Sequence, residues 1–124
     1  MAATEPCVFC RIVANEAPAK VVRAFDYSLI IEPLNPVAKG HVIVIPHEHV
    51  RDATEEPEIT ATVMHAAALY AKQIKGDCNI ITSVGPAATQ TVMHLHVHVV
   101  PRTPNDGLTL PWTGQRELHR TEAR

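Results

Sequence analysis

The stretch of sequence that decides the fold is His94-Leu95-His96-Val97-His98-Val99-Val100. Its three histidines alternate with apolar residues, which is the pattern of a half-buried β-strand. In such a strand the three imidazoles share one face, and the apolar side chains between them face the core. A polar sheet face that happens to carry histidine is the plain alternative, but packing alone rarely requires three imidazoles in a row. This strand is therefore predicted to carry the chemistry of the protein.

The rest of the chain predicts an α+β fold. Short, largely apolar stretches bounded by turn residues predict four further strands, over residues 21–25, 29–32, 41–45 and 79–84. The apolar run of the last of these favours a central place in the sheet. A helix is predicted from an N-cap at Thr54 to Lys75, with Gly76 in the C′ position. With the histidine strand over residues 91–100, this order gives a five-stranded antiparallel sheet packed against one main helix.

Composition and charge describe an ordinary globular domain. Of the 124 residues, 46% are apolar and 19% charged, and the formal net charge is −2. This balance gives no reason to expect nucleic acid or a membrane surface as a partner, and no apolar run is long enough to cross a bilayer. Because there is no secretory signal, the protein is expected in the cytoplasm. Residues 1–114 are expected to form one domain, followed by a polar C-terminal tail over residues 115–124.

The three cysteines are Cys7, Cys10 and Cys78. An odd number of cysteines without an export signal favours a reducing compartment and argues against a disulfide framework. The pair Cys7 and Cys10, spaced as C-x-x-C, is therefore interpreted as metal-binding or redox-active. Cys78 precedes an apolar strand and is predicted to be a buried thiol.

Imidazoles on one strand suit two kinds of chemistry, and their spacing does not separate them. Neutral imidazole is a zinc ligand and also a nucleophile toward phosphorus. The small residues of 85–91 leave backbone N–H groups open to an anion, Gln90 and Thr91 add neutral donors, and Arg102 lies just beyond. These neighbours favour a phosphate-bearing substrate. His41, at the start of a predicted strand, is assigned a structural role only.

A third interpretation makes all three strand histidines ligands of one catalytic zinc ion. Along an extended strand, His94 and His98 are about 13 Å apart. A single ion with bonds of about 2 Å does not reach both unless the strand bends sharply, so this interpretation is disfavoured.

The chain resembles the histidine triad (HIT) family of nucleotide hydrolases and transferases. The family motif is His-φ-His-φ-His-φ-φ, where φ is apolar, and this chain matches it at every position. The similarity extends from about Cys7 to about Trp112. It is carried by Gly40-His41-Val42-Ile43-Val44-Ile45-Pro46 with His49, and by Gln90-Thr91-Val92-Met93-His94-Leu95-His96-Val97-His98-Val99-Val100-Pro101-Arg102.

The resemblance implies a role for each matching residue. His96 matches the nucleophile that takes up the nucleotidyl group, and His98 matches the histidine that contacts the reacting phosphate. The backbone carbonyl of His94 is expected to accept the Nδ1–H of His96, which leaves Nε2 free to attack. The positions that match phosphate-binding residues of the family are Gln90, Thr91 and Ser83.

The implied reaction is a double displacement at the α-phosphate of a nucleotide conjugate. A covalent nucleotidyl-histidine forms and is then hydrolysed or transferred. The substrate class is either dinucleoside polyphosphates or nucleoside phosphoramidates and related adenylates. The alternative function is a nucleotide-binding regulatory or scaffold module whose hydrolysis is incidental. The intact His96 argues against that alternative, because binding does not need a nucleophile.

The resemblance also implies which residues bind a metal ion together with the two cysteines. Cys7 and Cys10 are expected to hold one zinc ion per chain together with His49 and His94. A Cys₂His₂ set is closed and tetrahedral, which is the form of a structural site. Two free thiols near the surface are the alternative. A homodimer is also implied, with the main helix and the fourth strand near the two-fold axis.

The chain departs from the family pattern at three positions. Pro33 stands where many members carry an acid or Asn that binds the ribose hydroxyls. In this chain, Glu32 or Asn35 is the candidate to make that contact instead. Ser83 stands where an Asn is common, and its hydroxyl can still donate. Thr89 replaces a frequent Gly before the triad. These departures bear on the substrate and not on the fold.

Overall fold

The computed structural model describes residues 7–112, and a five-stranded antiparallel sheet dominates it. The helices are α1 (Val8–Val13) and α2 (Pro57–Ile74), and the strands are β1 (Val21–Ala24), β2 (Ser28–Ile31), β3 (Val42–Pro46), β4 (Cys78–Ile81) and β5 (Val97–Pro101). The strand order is β1-β2-β3-β5-β4. The predicted α+β class, with one main helix on the sheet, is confirmed. The tail predicted over residues 115–124 lies outside the described residues.

The two faces of the sheet bury two separate apolar clusters. On one face, α2 packs through Val63 and Ala67 against a core that includes Leu95, Val97 and Val99, all of them inaccessible to solvent. This confirms the predicted inward direction of the apolar residues between the histidines. On the other face, α1 contributes a second, smaller cluster of Cys7, Phe9, Ile31, Ile43 and Ile45.

β4 lies at an edge of the sheet, so the central position predicted for the fourth strand is wrong. It pairs with β5, where Ile80 lies opposite Val99, and β5 pairs in turn with β3. The apolar run of β4 is only half buried, and Ile80 is 36% exposed. Cys78 packs partly buried against the main core, and is therefore less buried than predicted.

The boundaries of α2 differ from the predicted ones. The helix begins at Pro57, since proline fits the first helical position, where its missing N–H costs nothing. Thr54 belongs to a preceding turn, in which its N–H and hydroxyl donate to Asp52 at 2.8 and 2.7 Å. At the other end Lys75, with φ 56°, takes the left-handed position predicted for Gly76. No helix among residues 7–112 is long and apolar enough to span a membrane.

The histidine strand is shorter than predicted, because β5 starts only at Val97. His98 lies in β5, whereas His94 and His96 precede it in a segment that bends over residues 92–94. The N–H of Leu95 donates to the carbonyl of Val50 at 2.8 Å, which holds this segment beside the loop after β3. The alternation of buried apolar residues therefore continues upstream of the strand itself.

Candidate metal centre and histidine site

Four side chains from three distant parts of the chain converge on one point. They are Cys7 and Cys10 at the start of α1, His49 in the loop after β3, and His94 before β5. The Cys10 Sγ to His49 Nδ1 distance is 3.1 Å, and the Cys7 Sγ to His94 Nδ1 distance is 3.4 Å. The two Nδ1 atoms are 3.2 Å apart, and all four ligand atoms lie within 4.8 Å of one another.

These separations fit a tetrahedral metal centre. Zinc bonds of about 2.0–2.1 Å to nitrogen and about 2.3 Å to sulfur place tetrahedral ligands roughly 3.3–3.8 Å apart. The His94 Nε2 lies 3.1 Å from the carbonyl oxygen of Pro46. Since only Nε2–H can donate to that carbonyl, Nδ1 of His94 presents a lone pair to the other three ligands. A backbone carbonyl in this position is the usual support of a metal-binding imidazole.

Burial shifts the pKa of two of the four side chains, His94 and Cys10. It lowers the pKa of His94 to about 4, so this imidazole is neutral at pH 7, as a metal ligand must be. Burial, followed by the hydrogen bond and charge of Cys7, raises the pKa of the Cys10 thiol to about 11. A divalent cation bound at this point stabilises the thiolate form of Cys10, because its positive charge lies next to the sulfur. The residues present therefore fit a metal ion of the zinc type.

His96 is held by two backbone contacts next to this centre. Its Nδ1 lies 2.8 Å from the carbonyl oxygen of His94, the contact that the family resemblance implies. Because a carbonyl only accepts, Nδ1 carries the proton and Nε2 keeps its lone pair. The hydroxyl of Thr82 donates to the carbonyl of His96 at 2.8 Å. Sequence reasoning missed Thr82, which follows β4 and shows no motif of its own.

His98 belongs to a hydrogen-bonded relay that ends at a backbone amide. The N–H of Val37 donates to Nδ1 of His41 at 3.1 Å, so Nε2 of His41 carries the proton. That Nε2 lies 3.0 Å from Nδ1 of His98, which therefore accepts and leaves the proton of His98 on Nε2. Burial, followed by the charges of His96 and His41, lowers the pKa of His98 to about 4.

His41 is thus part of the site, beyond the structural role that the sequence suggested. It is 5% exposed, and burial lowers its pKa. Its ring centroid lies 5.2 Å from that of His98, and the His96 and His98 centroids are 5.3 Å apart. The sequence signal for the contact between His41 and His98 was weak. It consisted of the position of His41 after Gly40, at the start of a predicted strand, and the structure pairs that strand with β5.

Gln90 is buried inside its own loop. Its Nε2 donates to the carbonyls of Arg51 and Val92 at 2.8 and 3.0 Å, and its Oε1 accepts from the N–H of Gly85 at 2.8 Å. With both amide protons engaged, a contact from Gln90 to phosphate would require one of these bonds to break. Gln90 shapes the loop before the triad, and its role in substrate binding stays a prediction.

The other predicted phosphate-binding residues stay predictions as well. Thr91 is exposed and Ser83 half-buried, and within residues 7–112 neither side chain has a hydrogen bond. Thr89 has φ 75°, a left-handed conformation that is strained for a β-branched residue. This strain accounts for the glycine that the family pattern favours at that position.

Arg102 does not serve as a free phosphate ligand. Its guanidinium binds both carboxylate oxygens of Asp106, at 2.8 and 3.0 Å, and donates to the side-chain oxygen of Asn79 at 2.6 Å. It also donates to the carbonyl of Leu108 at 3.0 Å. The predicted contribution of Arg102 to phosphate binding is therefore replaced by a structural one, since it ties the segment after β5 to β4.

Comparison with known proteins gives the class to which this fold and site belong. Residues 14–105 match the family model described as the HIT domain, so the chain belongs to the histidine triad family. It is 37% identical over 111 residues to an uncharacterised HIT-like protein of Mycobacterium tuberculosis, a match that covers 85% of this chain and 77% of that protein.

Two further relatives bear on chemistry. An adenosine 5′-monophosphoramidase of Saccharomyces cerevisiae is 33% identical over 112 residues, covering 88% of this chain and 71% of the yeast protein. A crystal structure of a Zn-bound histidine triad family protein from Mycobacterium smegmatis is 39% identical, with a TM-score of 0.73. That match covers 85% of this chain and 81% of the other.

Proposed function

We propose that this protein is a nucleotidyl hydrolase or transferase that acts at the α-phosphate of nucleotide conjugates through a covalent intermediate on His96. The observation that carries the proposal is the 2.8 Å contact between Nδ1 of His96 and the carbonyl of His94. This contact places a proton on Nδ1 and leaves the lone pair of Nε2 available for attack on phosphorus. The adenosine 5′-monophosphoramidase of yeast supports a nucleotide conjugate with a P–N bond as one substrate class.

The reaction has two displacements. In the first, Nε2 of His96 attacks the α-phosphorus, the P–N bond to His96 forms, and the bond from phosphorus to the leaving group breaks. The Nε2–H of His98 donates to a phosphoryl oxygen and stabilises the charge that develops there. In the second, water or another acceptor attacks the phosphorus and His96 is released. The protein contributes positioning and a fixed set of dipoles, which is most of what phosphoryl transfer requires.

We assign Cys7, Cys10, His49 and His94 as ligands of one structural zinc ion per chain. The ligand separations and the carbonyl behind His94 fit such an ion, and the Zn-bound relative of 39% identity supports it. When bound, zinc supplies a four-ligand cross-link and no chemistry at the substrate. The cross-link joins α1 to the segment that carries His96.

Mass spectrometry of the intact protein tests the reaction. The protein is mixed with adenosine 5′-phosphoramidate or a diadenosine polyphosphate, quenched within one turnover and weighed. An added adenylyl mass is expected in the wild type and absent in His96→Ala, which removes the attacking atom and leaves nucleotide binding largely intact. His47→Ala, at an exposed histidine in the loop after β3, is the matched control and keeps the adduct.

The same panel separates the alternatives. Faster labelling by the phosphoramidate or by the polyphosphate identifies the substrate class. Nucleotide binding without any adduct would overturn the covalent mechanism and leave a regulatory or scaffold module. Near wild-type turnover in His96→Ala would also contradict the double displacement.

We further propose a homodimer formed through α2 and β4. The exposed side of α2 carries Ala61, Ala68 and Met64, and Met64 is 37% exposed. β4 is an edge strand with one side unpaired by the described residues, and such an edge is a ready template for a second chain. Sedimentation equilibrium at micromolar concentration is expected to give twice the mass of the chain, and the mass of a single chain would contradict this proposal.

A further inference from the structure

Phe9 lies between the two cysteines in sequence and between two histidines in space. Its ring centroid is 5.6 Å from that of His94 with an interplanar angle of 87°, and 5.2 Å from that of His96 with an angle of 68°. Both are edge-to-face contacts, an arrangement that aromatic rings favour. Phe9 is 8% exposed, so its buried ring contacts both a proposed metal ligand, His94, and the proposed nucleophile, His96.

The position of Phe9 depends on the metal centre. α1 has only six residues, and a helix so short is not stable by itself in water. Tertiary contacts must therefore hold it. These are the contacts of Cys7 and Cys10 with the two ligand histidines and the packing of Phe9 in the smaller apolar cluster. With all four ligands closed around one ion, the ring of Phe9 is fixed from both sides of its own sequence position.

His96 needs a second constraint beyond its hydrogen bond. The contact of Nδ1 with the carbonyl of His94 fixes one edge of the imidazole, but the ring can still tilt about that contact. Nε2, the proposed attacking atom, lies on the far side of the ring and moves most when the ring tilts. An edge-to-face neighbour on the imidazole restricts this tilt, and Phe9 is in that position.

We infer that Phe9 is a positioning residue, which transmits the closed state of the Cys7–Cys10–His49–His94 centre to the ring of His96. This inference rests on the proposed function, since it concerns the nucleophile of that reaction. A misplacement of about 1 Å at a reacting atom costs on the order of 100-fold in rate. Loss of the aromatic ring at position 9 is therefore expected to slow adduct formation while the metal centre stays intact.

The test compares Phe9→Met and Phe9→Leu with Phe9→Tyr, which keeps the ring, and with Val13→Ala. Val13 packs in the same cluster on the same helix, so it controls for the loss of apolar contacts. Bound zinc is measured per chain, and adduct formation on His96 is followed in single turnover over a range of phosphoramidate concentrations. Phe9→Met and Phe9→Leu are expected to keep one zinc and to form the adduct about 10- to 100-fold more slowly at saturation.

For Phe9→Met and Phe9→Leu, the phosphoramidate concentration that gives half the maximal rate is expected to stay within twofold of the wild-type value. Phe9→Tyr and Val13→Ala are expected to behave as wild type. Loss of zinc from Phe9→Met and Phe9→Leu would overturn the inference, because Phe9 would then only support the metal centre. A change confined to the half-maximal concentration would overturn it as well, since Phe9 would then contact substrate. Adduct formation at the wild-type rate would exclude any positioning role.

A second measurement does not depend on turnover. The Nδ1–H of His96 is followed by ¹⁵N–¹H NMR in zinc-loaded wild type, in wild type after chelation and in zinc-loaded Phe9→Met. One protected resonance is expected in the first sample, and exchange-broadened or multiple resonances are expected in the other two. A single unchanged resonance in all three would overturn the inference even if the adduct forms. Absence of any adduct in wild type, with this NMR pattern intact, would instead count against the proposed function alone.

Discussion

The Nε2 of His41 lies 3.0 Å from Nδ1 of His98, across 57 residues of sequence. The N–H of Val37 donates to the other nitrogen of His41, so this contact has one direction: His41 donates and His98 accepts. The tautomer of His98 is thereby set by a backbone amide two contacts away. The proton of His98 rests on Nε2, the nitrogen that the proposed mechanism uses to contact the phosphoryl group.

Replacement of His41 by Phe is expected to slow turnover by about 10- to 100-fold. The aromatic ring keeps most of the volume but removes the donor, so His98 is free to carry its proton on Nδ1. The loss is expected to be smaller than the roughly 10²–10³-fold that removal of one donor to a developing oxyanion costs, because His98 itself is still present. Turnover of a phosphoramidate is the measurement, with zinc content as a check on the fold. His41→Gln, which keeps a donor, should recover part of the rate, and a wild-type rate in His41→Phe would contradict the relay.

The metal assignment makes a prediction about stability. Cys7→Ser combined with Cys10→Ser is expected to reduce zinc from about one per chain to none. Structural zinc contributes directly to folding, and each kcal/mol shifts the melting temperature of a domain this size by about 4 °C. A fall of more than about 10 °C is therefore expected by calorimetry. Cys78→Ser is the control, and metal-free wild type prepared without chelator would count against the assignment.

The four proposed metal ligands illustrate what local sequence could reveal. The C-x-x-C pair and the histidine motif are short patterns, so both were visible without a structure, and the cluster of Cys7, Cys10, His49 and His94 follows from them through the resemblance. The α+β fold was visible for the same reason, since period-two runs and one long amphipathic helix are local signals.

The remaining features of the site depend on contacts between distant residues. α1 is too short for its periodicity to be read, and the His41–His98 relay arises only because β3 pairs with β5. Arg102 was assigned to phosphate because its sequence neighbours suit an anion. In the structure, Asn79 lies in β4, the strand paired with β5, and Asp106 lies four residues after Arg102. Both side chains accept hydrogen bonds from the guanidinium of Arg102. Proximity in sequence did not reveal that competition.

Arg102→Lys separates the structural role from the phosphate-binding role. A single ammonium cannot reproduce the forked pairing with Asp106 together with the bond to Asn79. The melting temperature is expected to fall while kcat/KM for the phosphoramidate stays within about twofold of wild type. A matched change at an exposed site is Arg11→Lys on α1, whose guanidinium donates to the carbonyl of Glu16 at 3.4 Å. A rise in KM of tenfold or more at unchanged stability would restore Arg102 to the phosphate site.

Acid stability is expected to depend on His98. Burial is the main cause that lowers the pKa of His98 from 6.5 to about 4. Between about pH 4 and pH 6.5, the unfolded chain therefore binds a proton at His98 that the folded chain does not. Stability then falls as pH decreases from about 6.5 to 4, with a slope of up to about 1.4 kcal/mol per pH unit for this one proton. His98→Asn removes the group, and urea unfolding at several pH values should show a shallower slope. An unchanged slope would contradict the lowered pKa.

The last prediction concerns the sugar of the substrate. By resemblance, the position of Pro33 is where a side chain holds the ribose hydroxyls, and proline has no such group. The alternatives beside it are weakly placed, because Glu32 pairs with Lys20 at 3.3 Å and Asn35 is exposed. A site built to pair with a hydroxyl rejects analogues that lack it, since its own polar group is left unpaired. A site without that partner pays no such penalty.

Conjugates of 2′-deoxyadenosine are therefore expected to react within about tenfold of the ribose forms, which corresponds to less than ~1.4 kcal/mol of discrimination. The measurement is kcat/KM for matched ribose and deoxyribose phosphoramidates. Pro33→Asp should increase the preference for ribose, and Pro33→Ala, which adds no polar group, is its control. A wild-type preference for ribose above about a hundredfold would show that another group, with Glu32 released from Lys20 as the first candidate, has taken over the contact.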